Sequence, residues 1–284
     1  KRYEECMRIC HEILNEHFDQ PEAIFIFGKC LIESGKYGHA HALYMHFLQL
    51  RKDSSAAWTN LGRCYESNDK IQEAENCFRV ALKLAPDDHV SYSNLSLAYL
   101  KKGDKRQSID WANKALAIKP DSVSARHNLA LSQLAFGEWK DGWENYEYSI
   151  GHNSDRFEYV FGDEPRWDGE KGKCVVAFGE QGLGDEIAFA SCVPDLMKDC
   201  SETIIHCHER LGGLFKRSFP GAFVYGARMK QEVEWLDTHT PEARVAFGSL
   251  PRFYRNRTED FPGTPYLVAD PERRVQWRAL LDSL

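Results

Sequence analysis

The sequence predicts an α + α/β chain, with an α-helical solenoid in the first half and a parallel α/β lobe in the second. Three observations predict it. Residues 55–88 and 89–122 match each other at a spacing of 34, the mark of stacked helix pairs. Residues 151–172 lose that period and carry Gly, Asp and Pro, as a connector would. The run CVVAFGEQGLGDEIAFASCVPDLM over 174–197 reads as a buried strand, a glycine-rich turn and a helix.

The repeat comes first in the chain. Trp58 matches Tyr92, Leu61 matches Leu95, Tyr65 matches Tyr99, Ala81 matches Ala115 and Pro86 matches Pro120. Small residues at Gly62 and Ala74 let two antiparallel helices approach. Trp58, Tyr65 and Phe78 fill the space between them, and Pro86 ends the second helix. The stretch 21–54 is degenerate but in phase through Phe27, Gly28, Ala40 and Tyr44. A further unit, 123–150, is heavy in aromatics at Trp139, Trp143 and Tyr146, which suits an end repeat packed on something else. Residues 1–20 fit only the second helix of an earlier unit. The chain starts at Lys1 rather than Met, so the solenoid is expected to extend further in a longer protein.

The set Trp58, Leu61, Gly62, Tyr65, Ala74, Phe78, Ala81 and Pro86 resembles the tetratricopeptide repeat (TPR). Short stacks of such repeats form surfaces used for binding. Asn60, Asn94 and Asn128 hold one position in three successive units, and Ile26 stands there in the unit before. An asparagine amide both donates and accepts, so a row of them can pair with a polypeptide backbone. This row resembles the asparagine ladder of O-GlcNAc transferases, which implies an extended polypeptide acceptor. Capping or bridging of adjacent repeats explains it equally well.

After the connector, where Trp167 is expected to anchor, the strand 174–178 is followed by candidate strands at 202–206 and 221–225. A short helix is expected between these two, over 208–215. Strand–helix alternation predicts a parallel sheet with right-handed crossovers. Residues 233–236 and 245–247 are candidates for further short strands. Residues 250–255 and 262–268 read as looped or extended, and 271–284 as a helix.

The turn decides the chemistry. A dinucleotide fingerprint needs a third glycine, and Gly182-Leu183-Gly184 is followed by Asp185, Glu186 and Ile187. A Walker loop is excluded, because no Gly-Lys-Ser or Gly-Lys-Thr follows. The run Gly182-Leu183-Gly184-Asp185, with Trp167-Asp168-Gly169-Glu170 before it and Gly248-Ser249-Leu250-Pro251 and Pro265-Tyr266-Leu267 after it, resembles the N-terminal lobe of GT-B glycosyltransferases of the heptosyltransferase type. The resemblance spans roughly 125–284. It implies a Rossmann-like lobe, half of a GT-B fold, in which Asp185 is the general base toward an acceptor hydroxyl. Glu180, Gln181, Gly182 and Gly184 would line the acceptor side. It also implies a nucleotide-sugar donor bound by a following lobe, so this stretch would hold no cofactor and would hardly turn over alone. Beside this stands a plain helix cap for Asp185. The rival function is a non-catalytic scaffold whose repeats bind a protein and whose α/β part is a relic or docking module.

The organisation expected is therefore 1–150 repeats (1–20, 21–54, 55–88, 89–122, 123–150), 151–172 connector, 173–270 acceptor-side lobe and 271–284 the start of an interlobe helix. Composition bounds the partners. The net charge is -7 and neither half is basic, which speaks against nucleic acid. Mean hydropathy is -0.53 and no apolar run approaches the roughly 18 residues of a membrane span. Nine scattered cysteines without a CxxC pair point to reduced thiols and a cytoplasmic setting. His206-Cys207-His208 puts two His on one strand face with no matching ligands, so no metal is expected.

Overall fold

The computed structural model describes residues 2–152, 156–227 and 233–283. The chain forms two compact units, Lys1–Phe136 and Gly137–Leu284. The first contains helices α1 (Arg2–Glu16), α2 (Pro21–Glu33), α3 (Tyr37–Leu50), α4 (Ser55–Glu66), α5 (Ile71–Leu84), α6 (His89–Lys101), α7 (Lys105–Ile118) and α8 (Val123–Ala135). It is a helical, TPR-like solenoid.

Its turns repeat with the sequence. Within each pair the chain reverses through a left-handed residue at Gly35 (φ 72°), Asp69 (φ 56°) and Gly103 (φ 75°). The next N–H closes the turn: Lys36 donates to the Leu31 carbonyl at 2.8 Å, Lys70 to Tyr65 at 3.0 Å and Asp104 to Tyr99 at 3.0 Å. Between pairs, Ser54, Asp88 and Ser122 cap the following helices, accepting from the N–H groups of Ala57, Val90 and Ala125.

Packing explains the small residues. A Cβ on Gly62 would lie 2.4 Å from Cε1 of Phe78, and one on Gly28 would lie 2.9 Å from the Tyr44 ring. Tyr44, Phe78, Leu61, Leu95, Ala40 and Ala74 are fully buried around these contacts. Trp58 and Tyr65 are half-buried against the same core.

One carboxylate ties two pairs together. Glu75 on α5 is 6% exposed. It accepts from Arg79 Nε at 2.7 Å, from the Tyr99 hydroxyl at 2.7 Å and from the Lys102 ammonium. Burial alone would raise its pKa, but the hydrogen bonds from Lys102, Tyr99 and Arg79 outweigh that and hold it down at about 2. A depressed carboxyl stabilises the fold above its unfolded value and loses that contribution as pH falls toward 2. Acid unfolding of the wild type between pH 5 and 2 is therefore expected to be steeper than that of Glu75→Gln. The difference should be on the order of 1–2 kcal/mol after solvent screening of the half-exposed Arg79. Equal acid sensitivity in urea titrations would remove this role.

The second unit begins with α9 (Trp139–Glu147), which the sequence read as the second helix of the last repeat. Then follow β1 (Cys174–Phe178), α10 (Leu183–Phe189), α11 (Val193–Asp199), β2 (Glu202–Cys207), α12 (Glu209–Ser218), β3 (Phe223–Gly226), β4 (Ala243–Ala246), α13 (Pro251–Tyr254) and α14 (Pro271–Asp282). The four strands form a small parallel sheet in the order β3-β2-β1-β4. Every residue of β1 is buried, as suits a central strand covered on both faces.

Several elements differ from the sequence reading. The helix expected from Asp185 to Met197 is broken at a three-residue 3-10 turn, Ala190–Cys192. Pro194 sits in the first turn of α11, where it lacks an N–H and its ring would clash with an α-helical carbonyl four residues back. Residues 233–236 form no strand; Glu234–Asp237 is a 3-10 turn. Residues 250–255 hold the short α13 rather than a loop.

Residues 166–167 lie against the β4 edge of the sheet. Arg166 bridges Arg244 in parallel, and the Trp167 N–H donates to the Arg244 carbonyl at 2.7 Å. Trp167 is buried against Phe253. Among the described residues, no helix is long and apolar enough to cross a membrane. All nine cysteines are free thiols.

Candidate functional site

The second unit has one place where an open α/β sheet binds ligands. β2 and β3 follow β1 on one side and β4 lies on the other. The crevice at the carboxyl ends of β1 and β4 is therefore the switch point of the topology. The residues leaving those ends are Glu180 after β1 and Gly248-Ser249 after β4.

That crevice is filled by the chain itself. Glu180 is 1% exposed and Arg156 is fully buried. Oε1 of Glu180 accepts from Arg156 Nη2 at 3.1 Å, the Gly248 N–H at 3.1 Å and Gln181 Nε2 at 3.0 Å. Arg156 also donates to the Tyr146 carbonyl at 2.7 Å and the Ser249 hydroxyl at 3.2 Å. Its guanidinium lies 4.3 Å from the centre of the Tyr146 ring. The Tyr146 hydroxyl donates to Gln181 Oε1 at 2.9 Å, and burial raises its pKa. Gly248 is required here, because a Cβ would stand 2.5 Å from Oε1 of Glu180. Nearby, Ile150, Phe178, Ala246 and Ser249 help line a cavity of only about 20 Å³. That is room for about one water and far less than a sugar or nucleotide needs.

The glycine turn serves two carboxylates. Gly179 leaves space for Glu186, since a Cβ would lie 2.2 Å from the Glu186 carboxyl carbon. Glu186 is 1% exposed, and its Oε2 accepts from the His208 N–H at 2.9 Å. It thereby ties the start of α10 to the end of β2. Asp185 points outward: it is exposed at the third position of α10, and its Oδ2 accepts from the Gly182 N–H at 3.1 Å. This is half of a capping box, closed by a carboxylate at a helix N-terminus. Gly182 is exposed and extended as the N-cap. Gly184 is exposed, with nothing within 4 Å of a built Cβ. Gln181 is half-buried between Glu180 and Tyr146.

Arg156, Glu186 and Tyr146 were not singled out as site residues from the sequence. A signal existed for Glu186, an acid directly preceding the apolar run of α10 and seven positions after a glycine. Of the histidines, His206 is buried and its Nδ1 accepts from Trp235 Nε1 at 3.3 Å. His208 caps α12 through Nδ1. No group of three or more His, Cys, Asp and Glu that could hold a metal ion occurs among the described residues.

In the first unit the three asparagines sit on α4, α6 and α8. Asn60 Nδ2 donates to the Tyr44 hydroxyl at 3.0 Å. Asn128 is buried, and its Nδ2 donates to the Ser93 carbonyl at 2.9 Å and hydroxyl at 3.0 Å. All three bonds reach back to an earlier helix. Asn94, in the middle, is half-buried, and its Nδ2 is buried with no hydrogen-bond partner among the described residues.

Residues 16–130 match the family described as "Tetratricopeptide repeat protein 21 C-terminal ARM domain". A curated relative, protein FlbA of Caulobacter vibrioides, is 30% identical over 171 residues, 53% of this chain and 28% of that protein. The chain thus spans little more than a quarter of that relative's length. Among solved structures, a thermophilic TPR protein of Thermus thermophilus is 17% identical, with 52% of this chain and 81% of that one covered at a TM-score of 0.47. MamA of Desulfovibrio magneticus is 22% identical, with 51% and 81% covered at a TM-score of 0.43. The first unit is thus a TPR-like array of helix pairs, and the C-terminal part holds a small parallel sheet.

Proposed function

We propose that the helical unit is a scaffold that holds a polypeptide partner in an extended form, with Asn60, Asn94 and Asn128 pairing to its backbone. The observation that carries this reading is the amide of Asn94. It sits midway between two asparagines one repeat away on either side, and its nitrogen has no hydrogen-bond partner among the described residues. A buried polar group left unpaired costs about 1–3 kcal/mol, and turning the half-buried side chain outward to a peptide carbonyl would remove that cost. Asn60 and Asn128 spend their nitrogens internally, which fixes each amide oxygen as an acceptor for a peptide N–H. A phage-displayed peptide library selected on the whole chain tests this. Asn94→Ala is expected to weaken the best selected peptide about tenfold in fluorescence anisotropy, a change of about 1.4 kcal/mol. No enrichment, or unchanged affinity, overturns it.

A second reading keeps the α/β part as the acceptor-side half of a nucleotide-sugar-dependent GT-B transferase, with Asp185 as base. What favours it is the exposed Asp185 carboxylate beside the end of β1. Gln181, Gly182 and Gly184 would then flank the acceptor, and Glu180 would position the turn from inside. Polypeptide or glycan would be the acceptor, in a cytoplasmic protein longer than this chain. In that longer protein Asp185→Asn should lower transfer at least about a hundredfold and leave the melting temperature within a few degrees. Undiminished turnover discards Asp185 as the base.

A further inference from the structure

The cysteines of α1 and α2 are not scattered in space. Cys6 and Cys10 are four residues apart and share one face of α1. Cys30 lies on α2, which packs against α1. Cys10 and Cys30 are 5% and 6% exposed, whereas Cys6 is half-buried. Cys6 and Cys10 both line an open groove of about 980 Å³, with Ile9, Ile13, Ala23 and Ile26 as its apolar wall. Small uncharged oxidants can therefore reach Cys6 from solvent.

We propose that Cys6 is an oxidation site, and that hydroperoxides convert Cys6 and Cys30 into a disulfide that staples α1 to α2. The Cys6 thiolate attacks the hydroperoxide; an S–O bond forms, the O–O bond breaks, and the alcohol leaves with a proton. The Cys30 sulfur then attacks the sulfenic sulfur. The S–S bond forms, the S–O bond breaks, and hydroxide leaves as water with the Cys30 proton. Two thiols are oxidised and one hydroperoxide is reduced to alcohol and water.

The environment assigns the roles. Burial, then the charge and hydrogen bond of Cys6, push Cys10 up to about 11. Burial, then the hydrogen bond and charge of Cys6, push Cys30 up to about 11. Both stay protonated near neutral pH and are poor first nucleophiles. Cys6 stands ten residues before the end of α1 and Cys30 nine residues after the start of α2, so the two are level across the short turn that joins the packed helices, and Cys6 is the least buried of the three. Of the two partners, Cys30 is favoured because it comes from another helix. Two Cβ atoms four apart on one helix are about 5–6 Å apart, beyond the roughly 3.5–4.5 Å that a disulfide accepts.

The three thiols fall on three separate tryptic peptides, 3–8, 9–29 and 30–36. The whole chain would be treated with hydrogen peroxide, its remaining thiols alkylated, and the digest mapped by mass spectrometry without reduction. The expected product is 3–8 joined to 30–36, lost on reduction, retained in Cys10→Ser and absent in Cys30→Ser. In Cys30→Ser a sulfenic acid trapped by dimedone should appear on Cys6 instead. Without oxidant, Cys6 should alkylate at least about tenfold faster than the fully buried Cys64. Joining of 3–8 to 9–29, covalent dimers on a non-reducing gel, or Cys6 alkylating as slowly as Cys64 in the wild type would each overturn the proposal.

Discussion

Arg156→Met is expected to cost the second unit about 3–5 kcal/mol, because it strands the Glu180 carboxylate in a site it cannot leave. The carboxylate is 1% exposed and, among the described residues, would keep only the Gly248 N–H and Gln181 amide as donors. The Tyr146 carbonyl and Ser249 hydroxyl would lose a partner as well. The loss should fall mostly on the unpaired charge rather than on missing contacts. Arg156→Met combined with Glu180→Leu is therefore expected to recover most of the stability, since buried ion pairs are often replaced by apolar pairs at little cost. Urea unfolding of the two single variants and the double variant closes the cycle. Additive losses, or a single-variant loss under about 1 kcal/mol, would show that the pair is not what holds this region.

Gly62→Ala should destabilise the helical unit by about 1–3 kcal/mol, the opposite of the usual gain from removing glycine in a helix. The added methyl would meet Phe78 at 2.4 Å, on a ring with no exposed surface. Either α4 moves off α5 or the ring leaves its rotamer. Gly38→Ala is the control, because nothing lies within 4 Å of a Cβ there. It should be neutral or stabilising. Equal effects at both positions in thermal unfolding would mean that close approach of α4 and α5 does not depend on Gly62.

Where a residue's work is local, the sequence made it visible. Gly62 and Phe78 lie within one unit, and their spacing recurs. The strand Cys174–Phe178 was legible because an apolar run ended in glycines. Pro194 announced the break between α10 and α11, but the apolar periodicity around it masked that signal. Arg156 was not legible. It lies in a stretch with no period, and its partners Glu180 and Ser249 are 24 and 93 residues away. An isolated arginine among Gly and Asp reads as solvated surface until the sheet closes over it. Asp185 shows the reverse limit. Its position beside a glycine turn was plain, yet one carboxylate serves equally as a cap and as a base.

The placement of β1 sets an order on biosynthesis. Cys174 pairs with Glu202, and Val175 pairs with Ala243, so both neighbours of the central strand are translated after it. The helix pairs can close as soon as each leaves the ribosome. β1, fully apolar and uncovered, must wait with unpaired edges until about seventy further residues have emerged. Over that interval the nascent chain carries its most adhesive segment in the open.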